Sequence, residues 1–93
     1  MTTELILKTV ADFFGLKPVE LKSKNNAKRV AEPRQIAMFL CRELINCSLT
    51  DIGREFGGKH HTTVLHSIRK IDQLRVTNPK TNAALNRLTD ILH

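Results

Sequence analysis

The chain has 93 residues, which suffices for one compact domain and leaves little room for a second. Its formal net charge of +6 favours a polyanionic partner, either nucleic acid or an acidic membrane face. No apolar run approaches the ~20 residues of a membrane span and no charged-then-apolar leader opens the chain, so we expect a cytoplasmic protein.

The first half of the chain predicts one helix, a short helix and a basic loop. Helical spacing of apolar residues predicts a first helix over residues 4–14, capped by Thr2 or Thr3 and ended by Gly15. Pro18 stands where a short second helix would begin. Residues 23–32 have no period, so we interpret them as a loop. The apolar positions of the first helix are Leu5, Ile6, Val10, Phe13 and Phe14.

The second half predicts four further helices. Pro33 opens a strongly apolar helix, and Ser48, with Asp51 three residues later, begins a short one that Gly57 and Gly58 end. A long helix follows from His60, and the dipeptide at 78–79 separates it from a last helix. The residues expected to face inward in these two are Val64, Leu65, Ile68, Ile71, Leu74, Ala84, Leu85, Leu88, Ile91 and Leu92.

Side chains that could suggest catalysis or metal binding do not form a recognisable site. Cys41 and Cys47 have neither zinc-ligand spacing nor an acid–base partner, and we expect two free thiols. His61 and His66 are five residues apart, off the spacing that places two ligands on one helical face. No glycine-rich phosphate loop is present. We therefore expect no enzyme, no metal and no nucleotide cofactor in this chain.

Residues 48–71 have the layout of a helix-turn-helix: a short capped helix, a glycine-bearing turn and a longer helix. In this motif the first residues of the second helix meet base edges, and threonine and histidine both offer suitable groups. Lys59, Arg69 and Lys70 flank that end as candidate phosphate partners. The polar side chains left near it are His61, Thr62, Thr63, His66 and Lys70.

Several sequence segments carry a resemblance. Residues 52–71 read I-G-R-E-F-G-G-K-H-H-T-T-V-L-H-S-I-R-K-I, residues 33–38 read P-R-Q-I-A-M, and residues 42–44 read R-E-L. Together they resemble the C-terminal DNA-binding domain of DnaA, the bacterial chromosomal replication initiator. The resemblance extends over essentially the whole chain, and H-T-T-V-L-H is its most specific part.

The resemblance implies a role for individual residues. His61 and Thr62 would read bases in the major groove, and Thr50 would make an apolar base contact. The loop before Pro33 would send a side chain into the adjacent minor groove. The residues implied to hold phosphates are Thr63, Lys70, Arg34, Gln35, Arg42 and Asn46. Without the resemblance, Arg34 and Gln35 would read as ordinary first-turn residues of a surface helix.

Two positions depart from the family pattern. His60 stands where family members commonly have aspartate, so it either alters the preferred base pair or only caps the helix. Asn26 stands where the family has its minor-groove arginine, and it lacks the charge that a narrow groove attracts. Lys24, Lys28 or Arg29 would then substitute, unless they belong to a merely solvated loop.

Residues and resemblance together predict a compact all-α, Trp-repressor-like domain of five to six helices around a helix-turn-helix. Residues 1–93 would form one domain of a larger initiator, and the AAA+ portion elsewhere in that protein would bind ATP and magnesium. The implied function is recognition of DnaA boxes in double-stranded origin DNA in the nucleoid, by a domain monomeric in isolation. Two alternatives remain: a stand-alone helix-turn-helix regulator, and a basic module that binds an acidic protein or anionic lipid without regard to DNA sequence.

Overall fold

The computed structural model describes residues 1–93 as six helices without a strand. They are α1 (Thr3–Phe14), α2 (Pro18–Leu21), α3 (Lys28–Ile45), α4 (Leu49–Glu55), α5 (His61–Thr77) and α6 (Pro79–Leu92). The predicted all-α class is confirmed. No helix is both long enough and apolar enough to cross a membrane.

The ends of most helices follow from local signals in the sequence. Thr2 caps α1 through its hydroxyl, which accepts from the Leu5 amide, and Gly15 ends it in the left-handed conformation with φ 69°. Asn78 caps α6 in the same way, accepting from the amides of Lys80 and Thr81 at 3.0 and 3.3 Å. These boundaries agree with the prediction to within a residue or two.

The beginning of α3 is a correction. The sequence predicted a loop over residues 23–32 and a helix from Pro33, but α3 begins at Lys28 and contains Pro33 in its second turn. A proline inside a helix loses one backbone hydrogen bond and crowds the preceding turn. Val30, which is completely buried in that first turn, offsets part of this cost by its packing. The loop is therefore shorter than predicted and covers residues 22–27.

The core lies around α3, which is buried on nearly all sides between residues 36 and 41. Helices α1 and α5 pack against α3, and α6 packs against α1 and α5. The largest fully buried side chains are Phe56, Ile6, Leu7, Leu21, Met38, Leu40, Ile52, Ile71, Leu88, Val10, Val30 and Val64.

Three residues that the helical spacing placed on an inner face are exposed. Leu5 is 45% exposed, Phe13 is 39% exposed and Ile91 is 54% exposed. Phe13 packs edge-to-face on Phe14 with ring centroids 5.0 Å apart, at the margin of α1. The buried side of α6 carries Leu85 and Leu88, and Ile91 lies on the side that faces solvent.

Both cysteines are free. Cys41 is buried in α3, and burial, aided by the nearby Cys47, raises the pKa of its thiol to about 12. A thiol with so high a pKa carries almost no thiolate near neutral pH, so Cys41 acts as a small apolar core residue.

Candidate functional site

Helices α4 and α5 form a helix-turn-helix joined by residues 56–60, which we call the turn. Ser48 caps α4 by accepting from the Asp51 amide at 3.1 Å, as the spacing predicted. Phe56 is completely buried, and Gly57 and Gly58 follow with φ 86° and 77°. Both glycines thus occupy a region that a side chain strains, which is the sharp reversal expected of this motif.

A close backbone approach fixes the two helices against each other. The Lys59 amide donates to the Gly53 carbonyl at 2.8 Å. A methyl group on Gly53 would overlap the Lys59 carbonyl and meet the side chain of Val64. Gly53 therefore allows α4 and the start of α5 to pack more closely than any larger residue would.

The N-terminus of α5 presents its polar residues to solvent. His61, Thr62 and Thr63 are all exposed, whereas Val64 and Ile71 are buried against the body. The same helix therefore carries an anchored apolar side and a free polar end. Farther along, the exposed side continues with His66, Arg69 and Lys70.

His60 caps α5. Its Nδ1 accepts from the Thr62 amide at 3.2 Å, and its ring lies 4.3 Å from the His61 ring, centroid to centroid. An accepting Nδ1 leaves Nε2 as the donor of the ring. His60 is exposed, so capping and a contact outward through Nε2 are compatible.

Residues 22–27, which we call the basic loop, lie beside the turn. The Ser23 hydroxyl accepts from the Asn25 amide at 3.2 Å, and Asn25 Oδ1 accepts from the Ala27 amide at 2.8 Å. These turns leave Lys24 and Asn26 exposed. The loop is therefore locally ordered, with its polar side chains directed outward.

Lys28 and Arg29 do not belong to this loop, contrary to the prediction. They lie in the first turn of α3, where Lys28 approaches Glu32 at 3.8 Å and Arg29 approaches Glu20 at 3.7 Å. All four side chains keep solvent access, so these pairs contribute little to stability. Of the four candidates for the minor groove, only Lys24 and Asn26 are in the loop.

A polar cleft of about 320 Å³ separates the basic loop from the turn and the start of α5. No apolar side chain lines it, so it offers hydrogen-bonding groups and positive charge rather than a hydrophobic pocket. Its lining residues are Lys24, Asn26, Gly57, Gly58, Lys59, His60 and Thr63.

Arg34 is directed into the protein, where its side chain donates to backbone carbonyls. It is only 4% exposed, and its Nε donates to the Leu21 carbonyl at 2.9 Å. Its Nη2 donates to the carbonyls of Ser23 and Asn25, both at 2.8 Å. Burial lowers its pKa. In this structure the guanidinium is engaged with the backbone around the basic loop, and the phosphate contact that the resemblance implies for Arg34 stays a prediction.

Lys59 is also engaged within the protein. Its ammonium donates to the carbonyls of Ser23 and Phe56, both at 2.9 Å. Burial lowers its pKa, and the charges of Arg34 and Lys24 lower it further. Lys59 therefore connects the turn to the basic loop, and its contact with a DNA phosphate stays a prediction.

The remaining predicted residues occupy three different settings. Thr50 is exposed in the first turn of α4. Arg42 is exposed, but its Nη1 donates to the Cys47 carbonyl at 2.8 Å, and Asn46 ends α3 with φ 52°. Gln35 is half-buried, and its Oε1 has no hydrogen-bond partner.

Sequence reasoning missed the internal role of Arg34 and Lys59. Both side chains donate to backbone carbonyls. Since every residue has a carbonyl, the sequence does not indicate which of them will accept a hydrogen bond. No group of three or more histidine, cysteine, aspartate or glutamate side chains is arranged to hold a metal ion.

Comparison with known proteins gives one consistent family. The sequence pattern described as "Bacterial dnaA protein helix-turn-helix" matches residues 3–71. The chromosomal replication initiator protein DnaA of Treponema denticola is 42% identical over 92 residues. This match covers 99% of the chain but 20% of the relative, so the chain spans about a fifth of that protein's length.

Solved structures agree with this. A protein described as a DNA replication initiation factor superposes with a TM-score of 0.81 at 35% identity, covering 92% of this chain and 26% of that one. A replication initiator DnaA bound to AMPPCP and single-stranded DNA superposes with a TM-score of 0.75, also at 35% identity, over 95% and 28% of the two chains. The likeness therefore includes both sequence and fold.

Proposed function

Because the chain belongs to the bacterial DnaA helix-turn-helix family, we propose that it binds double-stranded DNA in a sequence-specific manner through the N-terminus of α5. Its targets would be the DnaA boxes of a replication origin, and its role would be to bring a longer initiator to the chromosome in the cytoplasm. Residues 1–93 would form the DNA-binding domain of that initiator. ATP and magnesium would bind in its AAA+ portion, outside this chain, and the domain itself would bind DNA as a monomer without catalysing a reaction.

One observation carries this proposal: the polar end of α5 is fully presented while the rest of the helix is anchored. His61 and Thr62 are exposed at the position where this motif meets base edges. A threonine hydroxyl can bond either kind of base group and its methyl can touch a thymine, while an imidazole donates or accepts. Thr50, in the first turn of α4, would add an apolar contact, and His60 Nε2 would donate to a base or backbone acceptor.

Phosphate contacts would supply much of the affinity. Thr63 directly follows the base-reading residues, Lys70 lies about two turns farther along α5, and both are exposed. The N-terminus of α5 also favours an anion. Arg42, Gln35 and Asn46 are assigned to neighbouring phosphates by the resemblance. Lys24 and Asn26, two exposed residues of the basic loop, would enter the minor groove.

The two alternatives make different predictions. A stand-alone helix-turn-helix regulator would bind DNA by the same chemistry, but its gene would encode no nucleotide-binding portion beside this domain. A module for acidic proteins or lipids would bind all anionic surfaces alike. The test is to select duplexes from a randomised pool with this chain and to titrate the selected duplex against a scrambled one at two salt concentrations. Equal affinity for both duplexes would refute sequence-specific binding.

Removing the base-reading groups is expected to weaken binding selectively. Thr62→Ala or His61→Ala should each cost about 1–3 kcal/mol on the selected duplex and reduce discrimination at one base pair. Thr77→Ala, the same kind of change at the far end of α5, serves as the matched control and should leave affinity unchanged. An equal loss on selected and scrambled duplexes would contradict a base contact.

Removing a phosphate contact is expected to act on all sequences alike. Lys70→Ala should weaken selected and scrambled duplexes by the same factor and lower the slope of log affinity against log salt by about 1. Lys80→Ala removes the same charge from the start of α6 and should leave the slope at its parent value. If Lys70→Ala left the slope unchanged, Lys70 would not be a phosphate ligand.

A further inference from the structure

The carbonyl oxygen of Ser23, in the basic loop, accepts two cationic donors from different parts of the chain. Arg34 Nη2 reaches it from α3 at 2.8 Å, and Lys59 Nζ reaches it from the turn at 2.9 Å. Lys59 also donates to the Phe56 carbonyl within the turn at 2.9 Å. The ammonium therefore joins loop and turn directly, over a sequence separation of 36 residues.

The basic loop and the turn also meet through a contact between their backbones, at Lys22 and Gly57. The backbone at Gly57 lies against the Lys22 carbonyl so closely that a methyl group on Gly57 would overlap it. Arg34 holds the other end of the loop through the Asn25 carbonyl at 2.8 Å. Loop and turn thus touch through backbone and through the Lys59 side chain, while Arg34 joins the loop to α3. The contacts extend from Lys22 to Asn25.

This arrangement has an electrostatic cost that an exposed lysine would avoid. The ammonium of Lys59 is partly desolvated and lies near the charges of Arg34 and Lys24, all of which lower its pKa. Clustered cations repel each other, and hydrogen bonds to carbonyl dipoles offset only part of that repulsion. A lysine that served only as a solvated phosphate ligand would gain nothing from such a position.

We propose that Lys59 and Arg34 are positioning residues that fix the distance between the basic loop and the N-terminus of α5, so that the two enter adjacent grooves of one duplex at a set spacing. This inference rests on the proposed function. The polar cleft of about 320 Å³ between them then receives the sugar-phosphate strand that separates the two grooves. Neither residue needs to touch DNA to influence which sequence is bound.

The test replaces Lys59 with methionine, which keeps much of the length of the side chain and removes its donors. In the free protein, hydrogen exchange of the Asn25 and Ala27 amides, which close the turns of the basic loop, is expected to accelerate about tenfold or more, because the loop opens more often. The amides in the middle of α3 serve as an internal control and keep their parent protection.

DNA binding supplies a readout that a purely stabilising residue would not affect. Substituting 2,6-diaminopurine for adenine in the selected duplex adds an amino group in the minor groove, the feature that distinguishes G·C from A·T there. In the parent chain, 2,6-diaminopurine is expected to weaken binding about tenfold, as a typical mismatch does. In Lys59→Met, the same base is expected to weaken binding by no more than about twofold. Penalties for base changes opposite His61 and Thr62 stay at their parent values.

Two further variants keep the test decisive. Lys59→Arg retains donors for both carbonyls and is expected to restore loop protection and the minor-groove penalty. If Lys59→Met does not fold, Lys59→Gln, whose side chain is shorter but keeps a donor, is measured in its place. Its loop protection and its minor-groove penalty are expected to be lower than those of the parent but not abolished.

The inference is overturned if Lys59→Met lowers the salt slope by about 1 while loop exchange and the minor-groove penalty both stay at parent values, since Lys59 is then a phosphate ligand. It is equally overturned if the parent shows no minor-groove penalty, or if none of the three quantities changes. Lack of sequence preference in the parent chain would defeat the proposed function instead, whereas unchanged loop exchange in Lys59→Met defeats this inference alone.

Discussion

Arg34→Met is expected to lower the free energy of unfolding by about 3 kcal/mol. The substitution removes a nearly buried guanidinium, leaves the carbonyls of Leu21 and Asn25 without their side-chain donor, and leaves the Ser23 carbonyl with Lys59 alone. Each buried acceptor that loses its partner costs about 1–3 kcal/mol, and the more exposed loop carbonyls recover part of that from water. Urea denaturation followed by circular dichroism at two or more temperatures measures the change.

Arg29→Met is the matched control for this prediction. It makes the same replacement five residues earlier in α3, where the side chain is exposed and approaches Glu20 at 3.7 Å. Exposed ion pairs contribute about 0–1 kcal/mol, so the control is expected to lose less than 1 kcal/mol. Equal effects at both positions would mean that the hydrogen bonds of Arg34 carry no special weight in the fold.

Gly57→Ala is expected to destabilise the protein by about 3 kcal/mol or more and to abolish tight DNA binding. With φ 86°, alanine at this position already carries a backbone strain of about 1–3 kcal/mol. Its methyl group would also overlap the Lys22 carbonyl, and a backbone atom cannot turn aside as a flexible side chain would. The turn and the basic loop must then separate, which moves the start of α5.

Gly58→Ala separates the two causes. Gly58 has φ 77° but nothing lies within 4 Å of the methyl group it would gain, so only the backbone strain applies. We expect a loss of about 1 kcal/mol for Gly58→Ala and nearly parent affinity for the selected duplex. Thermal and urea unfolding of both variants give the comparison, and equal losses at the two glycines would show that contact with Lys22 is unimportant.

Much of the fold could be predicted because its signals are local. The cap at Ser48, the pair of glycines in the turn and the Asn78–Pro79 boundary each act through groups a few residues away in sequence. The exposed polar end of α5 follows from the same reasoning, since the apolar period of the helix leaves His61 and Thr62 on the free side.

What could not be predicted depends on contacts between distant segments. Pro33 is a strong sign of a helix start, and only the burial of Val30 in the core reveals that α3 begins a turn and more earlier. Leu5, Phe13 and Ile91 fit the helical period but are exposed, because the period does not show how far a neighbouring helix covers each position. The resemblance assigned Arg34 to phosphate, whereas its partners in this structure are carbonyls 9–13 residues away in sequence.

The packing of α6 bears on how this domain should be excised from a longer polypeptide. The family pattern stops at residue 71, within α5, yet Leu85 and Leu88 of α6 belong to the core. A fragment trimmed to the pattern would expose the apolar surface that these leucines cover and would be expected to aggregate or to behave as a loosely packed collapsed state. Fragments for crystallisation and reporter fusions should therefore retain the chain through Leu92, although the residues proposed to contact DNA all lie before α6.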